Sequence, residues 1–174
     1  MKRFLLDTNV VSELRKPKPH GAVVAWLSRA GDDQLFLSAV TLGELQAGIE
    51  RTRMPDAKKA QKIESWVDQL ADSIQVLPMD APCFREWARL MNGKSDTLVE
   101  DAMIAATARV HGPTVATCNE RDFTDLGVAL LNPFVIDNAD SKVARGGGNE
   151  KASGEVGRSV LRPYKKTSRV RIGD

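Results

Sequence analysis

Residues 3–14 read RFLLDTNVVSEL, and the fold turns on what Asp7 does there. Phe4-Leu5-Leu6 is a short continuous apolar run of the kind that fills a buried strand. An acid closing such a run faces a desolvation cost unless something pairs with it. One solution is local: at a strand-to-helix junction, Asp accepts from backbone N–H groups a few residues on and caps the helix. The other is that Asp7 belongs to a site, and the rest of the chain decides between them.

The same grammar repeats along the chain. Pro17 and Pro19 break the first helical stretch, after which Ala22, Val23, Trp26 and Leu27 recur at helical spacing. The run 34–38 (QLFLS) leads into a helix carrying Leu42, Leu45 and Ile49, and a further helix spans about Asp56 to Asp72. Run 73–78 (SIQVLP) precedes a helix around Cys83 to Met91. A helix ending at Gly112 then leads into 113–119 (PTVATCN), and 133–137 (PFVID) is the expected last strand. Continuous apolar runs alternating with helices predict an α/β fold, a three-layer α/β/α sandwich with a mainly parallel central sheet. In such sheets sites collect at the carboxyl ends of the strands.

With 174 residues, 42% hydrophobic and 28% charged, the chain has the composition of a soluble globular domain. It holds no apolar stretch near the ~18 residues a membrane span needs, and no signal-peptide pattern, so the expected location is cytoplasmic. Cys83 and Cys118 lack CxxC spacing and are expected as reduced, buried thiols. Trp26, Trp66 and Trp87 lie on helical stripes that pack inward. Charge divides the chain: from Ser141 onward nine basic residues face three acids, whereas residues 1–140 carry 16 basic and 20 acidic side chains. A domain over 1–139 is therefore expected to be followed by a basic, Gly-containing, flexible tail over 140–174, whose charge suits a solvated extension or contact with phosphates.

Four acids fall where strands end or the following helices begin: Asp7, Glu44, Asp101 and Asp122. Each alone has an ordinary reading as a cap, a helix-dipole partner or a solvated face. Together they would repel, each pair by ~4 kcal/mol at ~4 Å and an effective dielectric near 20, so such a cluster must take up protons or hold a cation. Oxygen-only ligands select a hard ion, Mg²⁺ or Mn²⁺, and the absence of Cys or His from the set argues against zinc. His20 and His111 read as loop and helix-end residues.

The stretches LLDTNVVSEL, SAVTLGEL, EDAMIAATA and TCNERDF, in this order, resemble the motifs of PIN-domain ribonucleases, and within them the VapC-like toxins of bacterial toxin–antitoxin pairs, nearest the FitB-like subgroup. The resemblance covers about residues 3–137 and says nothing of the tail. It implies a metal-dependent endoribonuclease in which Asp7, Asp101 and Asp122 hold one or two Mg²⁺ or Mn²⁺ ions, with Glu44 a direct ligand or acting through water. It implies supporting roles for Thr8 or Asn9 beside Asp7, for Thr117 in orienting a carboxylate or the attacking water, and for Asn119 in contacting substrate. Cys118 stands where the family often has a basic or small residue. A homodimer is also implied, together with an RNA substrate and a cognate antitoxin that occupies the acidic cleft, with room for a higher assembly of toxin and antitoxin. Alternatives from other classes are a Mg²⁺-dependent phosphohydrolase of the haloacid dehalogenase type, which needs an acid where Asn9 stands, a receiver-type signalling domain, which needs an acid at the end of the third strand, and a catalytically silent PIN-like binding module.

Overall fold

The computed structural model describes residues 2–135. Five strands are present: β1 (Phe4–Leu6), β2 (Leu35–Ser38), β3 (Gln75–Leu77), β4 (Thr114–Ala116) and β5 (Leu130–Leu131). All pair in parallel, in the order β3-β2-β1-β4-β5. Seven α-helices accompany them: α1 (Thr8–Leu14), α2 (Gly21–Arg29), α3 (Ala39–Arg53), α4 (Ala57–Ser73), α5 (Ala81–Leu90), α6 (Val99–His111) and α7 (Glu120–Phe123).

Strand side chains alternate between two cores, which is what makes continuous apolar runs necessary. Phe4 and Leu6 of β1, Leu35 and Leu37 of β2 and Ala116 of β4 pack with Val10, Val11, Trp26, Leu27 and Leu70 from α1, α2 and α4. Leu5, Phe36 and Val115 face the other way, onto Ala102, Ala105 and Ala106 of α6, Leu90 of α5 and Phe123 of α7. The helices thus cover both faces of the sheet, as the alternation predicts. The alanines bring α6 close to the sheet. It then stops at Gly112, whose φ of 84° places it in the left-handed region that a side chain disfavours. Trp26 is buried, and Trp66 and Trp87 pack against the cores.

Two sequence expectations are corrected. The last strand is Leu130–Leu131, not 133–137, of which residues 136 and 137 lie outside the described residues. Asn132 ends it: its side-chain oxygen accepts from the Phe134 amide at 3.0 Å, and its carbonyl accepts from the Val135 amide at 3.4 Å. Pro133 therefore enters a turn, and Phe134 packs into the first core with its ring 5.4 Å from that of His20. Cys118, expected to be buried, is exposed just past the end of β4, whereas Cys83 is buried as expected. The expected tail over 140–174 lies outside the described residues.

The strand order has one functional consequence. The chain moves outward from β1 through β2 to β3, then crosses to the opposite side of β1 to form β4 and β5. The β1/β4 boundary is the point where direction reverses, and in sheets of this kind that is where a crevice opens beyond the carboxyl ends of the strands. Asp7 and Thr117 are the first residues past those ends.

Candidate functional site

At the floor of this crevice the Asp7 amide donates to the Ala116 carbonyl at 3.0 Å, extending the β1/β4 ladder by one bond and fixing the backbone. The Asp7 side chain is 4% exposed. It caps α1 by accepting from the Thr8 amide at 2.6 Å, and it also accepts from the Thr117 hydroxyl at 2.7 Å and from the Asn9 side-chain amide. The capping reading of Asp7 therefore holds, and its carboxylate is in addition gripped by residues beyond the ends of two strands. Burial raises its pKa above the ordinary carboxylate range, and the bonds from Thr117, Thr8 and Asn9 oppose that shift.

The supporting residues form one network. Asn9 donates to Thr117 Oγ1 at 2.9 Å and accepts from the Cys118 amide at 3.1 Å, while Thr117 Oγ1 accepts from the Asn119 amide at 2.9 Å. The fully buried Thr117 hydroxyl thus links β1, α1 and the loop after β4. Asn119 donates its side-chain amide to Asp122 at 2.6 Å. Thr8 donates its hydroxyl to Glu44 at 2.6 Å.

Glu44 reaches the site because α3 begins at once after β2, capped by the Ser38 hydroxyl, and because the buried Thr41 donates to the Leu6 carbonyl at 3.3 Å. That bond pins α3 to the end of β1 one turn before Glu44, on the same helical face. Thr41 was missed in the sequence, where it reads as an ordinary first-turn threonine. Burial raises the pKa of Glu44, the Thr8 hydroxyl lowers it, and Asp7 and Glu100 raise it.

Asp101, in the first turn of α6, is half-buried and receives no donor among the described residues. Its pKa is pushed up to about 6, chiefly by burial, then by Asp7, Asp122, Glu44 and Glu100. Asp101 thus stands within electrostatic reach of Asp7, Asp122 and Glu44, and also of Glu100, whose signal was the acidic pair Glu100-Asp101.

This is a pocket of negative charge held in place by neutral donors, which orient the carboxylates without neutralising them. Its donor set is oxygen only, which fits a hard divalent cation. Among the described residues, no three of these carboxylates bring oxygens within 4.8 Å of one another.

Comparison with known proteins gives a consistent picture. A model of the PIN domain matches residues 4–129. The chain is 36% identical over 138 residues to VapC ribonuclease Y4jK of Sinorhizobium fredii, covering 75% of this chain and 97% of that one. It is 35% identical over 139 residues to Toxin FitB of Neisseria gonorrhoeae, covering 75% and 98%. The crystal structure of FitAcB from Neisseria gonorrhoeae superposes with a TM-score of 0.68 at 34% identity, over 76% of this chain and 99% of the other.

Proposed function

Since the chain belongs to the PIN-domain family, we propose that it is a divalent-metal-dependent endoribonuclease, the toxin of a toxin–antitoxin pair, with its centre in the acidic crevice at β1 and β4. The observation that carries this reading is Asp7: a carboxylate buried to 4% exposure, held by three donors and lying near Glu44 and Asp101.

Asp7, Asp101 and Asp122 would hold Mg²⁺ or Mn²⁺, with Glu44 a ligand directly or through water. When bound, such an ion acidifies water and offsets charge developing on a phosphodiester. The chain's own work is positional. Thr117 and Asn9 hold both the rotamer and the ionised form of Asp7, Thr8 aims Glu44, and Asn119 aims Asp122. The Asn9 amide is committed to Asp7 and Thr117, and no acid stands at its position, which disfavours the haloacid dehalogenase alternative.

The partners follow from the same reading: an RNA substrate, a second copy of the chain, and a cognate antitoxin presenting a basic group to the cleft. The test is single-turnover cleavage of RNA in Mg²⁺ or Mn²⁺ by the wild type, Asp7→Asn and Asp101→Asn. Each variant is expected to lose at least about a hundredfold in rate, the upper end of what removing a residue that merely orients a ligand costs. Chelation is expected to abolish cleavage by the wild type. Equal rates in all three proteins overturn the reading.

A further inference from the structure

At the opposite end of α6 from Asp101, ten residues and thus ~15 Å along the helix, Asp80, Cys83 and His111 meet. Their carboxylate oxygen, Sγ and ring nitrogen lie within 4.8 Å of one another, the one such trio among the described residues. The fold builds this meeting deliberately. Asp80 caps α5, accepting from the Cys83 amide at 3.1 Å, and Pro82 occupies the first turn beside it. The cap sets Cys83 facing α6, where its Sγ lies 3.6 Å from His111 Nε2 and 3.7 Å from the Pro78 carbonyl. His111 is fixed in turn, because the Arg3 guanidinium donates to its carbonyl at 2.6 Å.

The sulfur–nitrogen separation is informative. Zinc bonds of ~2.3 Å to sulfur and ~2.0 Å to nitrogen, at a tetrahedral angle, place the two ligand atoms about 3.5 Å apart, close to the separation seen. A carboxylate has acceptor capacity beyond one capping bond, so Asp80 can cap α5 and ligate together. Mixed sulfur, nitrogen and oxygen donors select a borderline-soft ion, in contrast to the oxygen-only crevice.

We propose that Asp80, Cys83 and His111 form a zinc site that ties the first turn of α5 to the last turn of α6, leaving a fourth position for water. Without metal the Cys83 thiol is protonated, its pKa pushed up to about 11 by burial and by Asp80, so zinc entry releases a proton. This inference does not depend on the nuclease reading.

The test uses the full chain in excess Mg²⁺, which occupies oxygen ligands, titrated with Co²⁺ as a spectroscopic substitute for Zn²⁺. One equivalent is expected to give tetrahedral ligand-field bands and a thiolate-to-cobalt charge-transfer band, both lost on adding Zn²⁺. Asp80→Asn, which keeps a good capping residue, and His111→Gln are each expected to weaken binding at least tenfold. Cys118→Ser, which removes the other thiol, is expected to leave the spectrum unchanged. A missing thiolate band, a band of full affinity in both Asp80→Asn and His111→Gln, or a band lost in Cys118→Ser overturns the proposal.

Discussion

A single hydroxyl, that of Thr117, is the hinge of the acidic crevice. It donates to Asp7 and accepts from Asn9 and Asn119, with no exposure to solvent. Thr117→Val keeps the shape and removes all three bonds. It is expected to cost ~1–3 kcal/mol in chemical denaturation and ~10–100-fold in single-turnover cleavage, with little change in RNA affinity. Asp101 offers a pH test. Its folded pKa of about 6 stands above its ordinary 3.8, so between those values the folded state holds the proton more tightly than the unfolded chain. Stability from this group is therefore fully present at low pH and lost as pH rises through about 6. The melting temperature of Asp101→Asn minus that of wild type is expected to grow from pH 4 to pH 7, and Mn²⁺ is expected to reverse the difference at pH 7. A difference independent of pH and metal would remove the electrostatic account of this residue.

At the scale of elements, the closeness of α6 to the sheet governs where Asp101 stands. Ala105 is fully buried against the second core. Ala105→Leu is expected to destabilise the protein by ~1–3 kcal/mol through overpacking, and to lower cleavage by moving the helix that carries Asp101; urea melts and single-turnover rates measure both. The strands from β1 to β4 were legible in sequence as short, mostly apolar runs alternating with helices, although β3 opens on the exposed Gln75 at the sheet edge. β5 was not, since Phe134 and Val135 look like a strand until the side chain and carbonyl of Asn132 are seen closing a turn on their amides. The acids were legible for a topological reason: the ends of parallel strands share an edge. Thr41 and the Asp80–Cys83–His111 trio were not, because each depends on which faces of neighbouring elements meet, and residues 83 and 111 share no sequence pattern.

For the molecule as a whole, charge is distributed against the proposed substrate. Residues 1–140 carry 16 basic and 20 acidic side chains, whereas 141–174 carry nine basic and three acidic. If the basic segment supplies attraction to phosphates, deleting residues 141–174 is expected to weaken RNA binding and flatten its dependence on salt, while cleavage of bound RNA persists. An unchanged salt slope would assign that attraction elsewhere. No described helix is long and apolar enough to cross a membrane. The central claim is that the β1/β4 crevice holds the divalent ion, and anomalous diffraction from crystals grown with Mn²⁺ tests it most directly. The account predicts a manganese peak bounded by Asp7 and Asp101, absent in Asp7→Asn; no peak there in the wild type, at a concentration that supports cleavage, would contradict it.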